Sequence, residues 1–209
     1  MIRLRTAPTK SALLDLRKQV GFLEDGHALL ERKRELLTRL VYQHIREYQR
    51  LKGVAHVALR EAYRWLSIAQ LRMGDRTIAQ ATLGASPSTS MKVLPRRSLG
   101  VQYPSVEARV VAAQPVGLLG TDPSFDEARR AFAEASVRLA EQAAVEMALL
   151  RLISEQRKAQ KRVNALKYNI IPSYENAIKR IAEALEEEER GTLFQIKRLR
   201  EMAESRSRR

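Results

Sequence analysis

The chain has 209 residues and a formal net charge of +14, with 30% charged residues and only 5% aromatics. So few large aromatics argue against a thick globular core and for long helices that bury narrow apolar seams. The lack of cysteine excludes disulfides, thiolate metal sites and thiol catalysis, and the positive charge points to anionic partners such as nucleic acid, phospholipid headgroups or acidic protein surfaces.

The first element is a very long helix. Residues 1–8 lead in, Thr6 or Thr9 is the candidate N-cap, and Pro8 is tolerated in the first turn. From Leu13 a strict 3-4 spacing runs through Leu16, Val20, Leu23, His27, Leu30, Arg34, Leu37, Val41, His44, Tyr48, Leu51, Ala55, Ala58, Ala62 and Trp65 to Ala69. Only His27, Arg34 and His44 interrupt the apolar run, and a seven-residue repeat sustained this long predicts a left-handed coiled coil. Gly21, Gly26 and Gly53 lie inside it, each costing about 1 kcal/mol against alanine; they are either points of close helix approach or tolerated defects. The helix is expected to stop at Gly74-Asp75, with Gly74 as a left-handed cap. At about 1.5 Å per residue its length is about 100 Å.

Residues 75–122 change character. Asp75 to Leu83 predicts a short helix, and Gly84 to Ser90 has loop composition. Met91 to Val111 is rich in Val and Leu but broken by Pro95, Gly100 and Pro104, which predicts one or two edge strands, with a hairpin as one arrangement. Gln114-Pro-Val-Gly and Leu119-Gly-Thr-Asp-Pro close the segment.

A second long helix is expected from residue 123 to about Met202. Its cap is either Asp122 with Pro123 in the first turn, or Ser124 with Glu127 as a capping box. Phe125, Phe132, Leu139, Ala143, Leu149, Leu150 and Ile153 form a first apolar stripe. Val163, Leu166, Ile170, Tyr174, Ala177, Ile178, Ile181 and Leu185 form a second. Glu155 to Arg162 between them is polar, so the seam weakens or shifts register there. The tail Ser205 to Arg209 is expected to fray. Pro172 falls inside the second stripe, which continues in phase across it; this predicts a kink or local overwinding, not a stop.

The fold class is therefore mainly α: two long antiparallel helices in a left-handed coiled coil, with a small middle insert of a short helix and a possible β-hairpin. The expected divisions are 1–74, 75–122 and 123–209. Two long helices joined by a medium insert bury their seams only if antiparallel, so both termini fall at one end and the insert at the other. No run of signal-peptide type opens the chain and no run of about eighteen apolar residues occurs. A soluble, cytoplasmic chain is expected, with membrane association only through partners.

Chemistry is sparse. No phosphate-binding glycine loop occurs, so no nucleotide or other cofactor is expected on this chain. His27, His44 and His56 form no ligand triad; His27 and His44 fall on the seam and read as polar residues that set its register. Glu186 to Glu189 followed by Arg190 reads as a solvated face, since no loop folds the acids inward around a cation. The basic clusters Arg32-Lys33-Arg34 and Lys158, Lys161, Arg162 lack exposed aromatic interleaving, which weighs against nucleic acid and favours an acidic protein surface.

Ala7-Pro-Thr-Lys10, Gly26-His-Ala-Leu-Leu-Glu-Arg-Lys-Arg34, Arg162-Val-Asn-Ala-Leu166 with Ile171-Pro172, and Glu187-Glu-Glu-Arg190 with Phe194 and Lys197 stand in a telling order and spacing. Together they resemble the D subunit of the rotary V-type and A-type ATPases, a central-stalk rotor component. Gly100 and Pro104 resemble that family's Gly-x-x-x-Pro, and Lys167 stands where the family often has an acid. The resemblance implies a non-catalytic rotor shaft inserted into a hexamer of three catalytic and three non-catalytic head subunits (A and B). It also implies a small partner, the F subunit, and a socket component (C or d) of the membrane sector, with torque passing between ATP chemistry and proton or sodium flow. Lys10, Lys33, Arg34, Arg162, Lys167, Glu188, Arg190 and Lys197 are the candidate partner contacts. Leu13, Leu30, Leu37, Val163, Leu166, Ile170, Pro172 and Ile178 are the candidate seam or kink positions. An unrelated coiled-coil scaffold or tether, and a basic nucleic-acid-binding coiled coil, are the alternatives.

Overall fold

The computed structural model describes residues 7–112, 114, 116 and 120–207, with side chains described as far as residue 203. The elements are α1 (Lys10–Met73), α2 (Asp75–Leu83), β1 (Thr89–Ser98), β2 (Val101–Val110), α3 (Pro123–Ala165), a π-helical turn (Leu166–Ile170) and α4 (Ile171–Ser207). By contacts the chain divides into two units. One takes in the chain up to Arg34 and from Arg157 onward; the other is Glu35–Gln156.

Thr9 caps α1: its hydroxyl accepts the Ala12 N–H at 3.2 Å. Pro8 therefore precedes the cap and does not sit in the first turn, while Thr6 lies outside the described residues. At the other end Gly74 takes φ +76° and ψ 156°, so it ends the helix with a positive φ but not as the expected left-handed helical cap; the conformation costs glycine least, and α2 starts directly after it. Helix α4 continues through Ser207, and the last two residues of the expected frayed tail lie outside the described residues.

In the first unit α1 pairs with the chain beyond Arg157. Leu16, Ala177 and Ile181 are buried together, with Leu13, Tyr174, Ile178 and Leu185 packed around them. Lys10 meets Glu189, and Arg34 meets Gln160. Rising numbers on α1 face falling numbers opposite, so the pairing is antiparallel. The second unit repeats the arrangement with α3: Tyr63 packs edge-on against Phe132 and Arg72 reaches Asp122.

Every position of the 3-4 register from Leu13 to Ala69 is buried or half-buried, whereas Leu14, Phe22, Leu29, Leu36 and Leu71 beside it are exposed. The spacing alone thus separates the seam from apolar residues of equal size. A Cβ at Gly21, Gly26 or Gly53 would meet nothing within 4 Å, so none of these glycines serves a close helix approach.

The α3 stripe differs from expectation. Phe125 is buried, but Leu139 and Leu150 are 38% and 55% exposed and Ala143 is exposed. Beyond Phe125, the buried apolar set of α3 in the second unit is mostly alanine: Ala128, Ala133, Ala135, Ala144 and Ala148, with Val137 and Leu152. Two causes act together. The facing stretch of α1 is itself alanine at 55, 62 and 69, and small residues on both helices let the axes approach more closely. In addition α3 packs against the hairpin as well as α1, with Ala144 and Ala148 close to Tyr103 to Val106.

The hairpin is a two-stranded antiparallel sheet closed by Leu99 and Gly100, at φ 50° and 80°. Positive φ at both central residues is the turn whose twist suits adjacent strands. Pro95 stands opposite Pro104. Counting from the hydrogen-bonded closing pair Ser98 and Val101, this is a non-hydrogen-bonded position, where both backbone nitrogens face outward and neither ladder bond is lost.

Pro172 does not stop the helix, and the predicted overwinding is reversed. The turn before it is wider than α: the Ile171 N–H donates to the Leu166 carbonyl, five residues back. Proline has no N–H to give and its ring crowds the preceding turn, and a wider turn relieves both. The seam spacing shows the same demand, because Leu166, Ile170 and Tyr174 are two successive four-residue steps, a pattern that locally unwinds a coiled coil.

Candidate functional site

In the first unit the local sequence sets three groups of candidate side chains. The first surrounds Lys10. Its Nζ lies 2.7 Å from Glu189 Oε1. The hydrogen bond and the charge attraction hold Lys10 above the usual lysine range and Glu189 below the usual carboxylate range. Both are largely exposed, so the pair orients more than it stabilises. Beside it a cleft of about 610 Å³ is lined by Pro8, Lys10, Leu185, Glu188, Glu189 and Leu193. The structure therefore brings Lys10 and Glu188 to one place. Arg190 reaches back to Glu186 and Glu187, each at 3.9 Å. From Glu186 to Ala203 every residue is exposed, including Lys197 and the apolar Leu193, Phe194, Ile196, Leu199 and Met202.

The second group crosses the seam. Arg34 is half-buried; its Nη1 donates to Gln160 Oε1 at 3.1 Å and its Nη2 lies 3.5 Å from Glu31 Oε1. Gln160 in turn donates to Asn164 Oδ1 at 2.8 Å. The polar break in the seam of α1 thus meets the polar stretch of α3, and Arg34 is turned inward while its neighbour Lys33 is exposed.

The third group flanks the π turn. Val163 is buried, and Leu166, Ile170, Pro172 and Ile178 are half-buried, as are Leu13 and Leu30 on α1. Arg162 and Lys167 point outward, Lys167 with its Nζ 5.7 Å above the Tyr168 ring.

In the second unit, Leu37 is fully buried. Asp122 caps α3 by accepting from the Ser124 N–H at 2.8 Å, and also accepts from the Ser124 hydroxyl and from Arg72 at 3.3 Å. The Ser124 bonds first, then the Arg72 guanidinium, hold its carboxyl below the usual range. Sequence reasoning left this cap open between Asp122 and Ser124, and it missed Arg72, since no local pattern links residues fifty apart. Arg151, donating to the Gln102 carbonyl at 2.9 Å, and the edge-on contact of His44 with Tyr103 were missed for the same reason. Among the described residues no cluster of His, Asp or Glu is placed to hold a metal ion, and no helix is long and apolar enough to cross a membrane.

The family described as the D subunit of ATP synthase matches residues 12–201. The chain belongs to the ATP synthase D-subunit family. It is 34% identical over 199 residues to the V-type ATP synthase D subunit of Thermotoga neapolitana, covering 95% of this chain and 98% of that one. To the A-type ATP synthase D subunit of Pyrococcus furiosus it is 32% identical over 210 residues, 97% of each chain. To that of Methanopyrus kandleri it is 30% identical over 204 residues, 94% of this chain and 86% of the relative. As a member of the D-subunit family the chain carries its seam, its polar crossing at Arg34 and its π turn within the matched span.

Proposed function

We propose that this chain is the central rotor shaft of a V/A-type ATPase or ATP synthase, with no active site of its own. The family match over residues 12–201 carries the reading. In this reading the paired helices enter a hexamer of three A and three B subunits, termini first. The insert end faces the F subunit and the C/d socket of the membrane sector, on the cytoplasmic side. Torque passes between ATP chemistry on the hexamer and proton or sodium transport.

The physical features suit that work. Within each unit α1 is paired with an antiparallel helix along its buried register, and a helix pair so held resists twisting better than a single helix. A shaft turns chemistry into motion only if it contacts similar subunits differently, because a conformational equilibrium shifts only through differential contacts. The exposed candidates Lys10, Lys33, Arg162, Lys167, Glu188, Arg190 and Lys197 are set to make such contacts with loops of the hexamer, and Arg34 acts instead inside the seam. The exposed apolar residues from Leu193 to Met202 extend the same proposed contact surface.

The test is stoichiometric assembly. Mixed with A and B head subunits, the chain is expected to form a complex with one copy per hexamer, by native mass spectrometry. Failure to associate, or equal copies of all three chains, contradicts the shaft and favours a general coiled-coil tether.

A further inference from the structure

The second unit holds a cleft that the shaft reading does not use. It lies between α1, the hairpin and α3 and has a volume of about 430 Å³, within the range of small-ligand sites. Its floor includes Leu51 and Ala148, which are buried and apolar. The residues lining it include arginines from three different elements: Arg50 of α1, Arg96 of β1 and Arg138 of α3.

Two carboxylates share that lining, and one of them, Glu141, is paired with a cation. Glu141 lies 3.2 Å from Arg138, and Glu47 lies 3.5 Å from Nδ1 of His44. The His44 contact does not have hydrogen-bond geometry, so this buried nitrogen has no hydrogen-bond partner. Arg50 and Arg96 have neither an ion pair nor a hydrogen bond among the described residues. The cleft therefore holds more positive than negative charge, with two planar forks of N–H donors that bind nothing among the described residues.

We propose that this cleft binds a small free oxyanion of the phosphate class. Guanidinium forks match the paired oxygens of such ions, and charge-assisted bonds of this kind are the stronger hydrogen bonds of proteins. The apolar floor excludes water from one side and so weakens the screening of the attraction. The inference is independent of the shaft reading, since it concerns residues of the second unit alone.

The experiment is a titration of the full ¹⁵N-labelled chain with inorganic phosphate, at an ionic strength held constant with chloride, followed by NMR and by calorimetry. Saturable one-site binding is expected, with shifts at Arg50, Arg96 and His44. Arg50→Gln and Arg96→Gln are each expected to weaken it about tenfold, and Arg64→Gln, paired with Glu61 outside the cleft, to leave it unchanged. Both cleft arginines are exposed, and circular dichroism melts verify that the variants fold; Arg96→Lys supplies a charge-retaining second variant with intermediate affinity. Shifts that do not saturate, shifts reproduced by chloride alone, or undiminished binding in both glutamine variants overturn the proposal.

Discussion

Leu36 and Leu37 are neighbours of identical chemistry with opposite roles. Leu37 is fully buried in the seam and Leu36 is 39% exposed. Leu37→Asp places an unpaired charge inside and is expected to destabilise the fold by on the order of several kcal/mol. Leu36→Asp is expected to stay within about 0.5 kcal/mol of the parent. Urea unfolding followed by circular dichroism compares them, and equal losses would sink the register. Asp122 carries a pH prediction. Its carboxyl is held below the usual range by Ser124 and then Arg72, so ionisation favours the folded state above the ordinary carboxylate range. That contribution is lost as pH falls through the lowered folded value. Asp122→Asn keeps a good capping side chain but cannot ionise. Its melting temperature is expected to fall less steeply with acidification than that of the parent; parallel curves would show that the charge contributes nothing.

Helix existence, helix ends and the α1 seam were legible in the sequence because each rests on local pattern: a heptad, a cap, a glycine with positive φ. The hairpin was half legible. Pro95 and Pro104 signalled edge strands, but their pairing depends on the turn at Leu99 and Gly100. The α3 stripe was misread because Leu139 and Leu150 look like seam residues, and only the alanines of α1 and the hairpin opposite decide that small side chains go inside. The cleft beside the turn half of the hairpin was invisible, since Arg50, Arg96 and Arg138 come from three separate elements. At Pro172 the position of the irregular turn was legible, but the winding has the opposite sense. Pro172→Ala restores a backbone donor and removes the crowding ring. It is expected to raise stability by about 1–3 kcal/mol, read as a higher unfolding midpoint. An unchanged or lower midpoint would mean that the seam spacing, and not the proline, sets the wide turn.

At the scale of the molecule, the long helices separate the tasks of their surfaces. Alanines and leucines of the register hold the pairs together, and most charged residues between them are exposed. Membership in the ATP synthase D-subunit family gives that surface its proposed setting within a rotary complex. The central claim is that this chain turns inside the hexamer while ATP is hydrolysed there. It is tested most directly by fixing the A and B subunits to a surface, attaching a bead to a cysteine introduced in the hairpin turn at Leu99, and watching the bead as ATP is added. The account predicts sustained rotation in one direction, dependent on ATP. A bead that stays fixed while the hexamer hydrolyses ATP at its normal rate would contradict it.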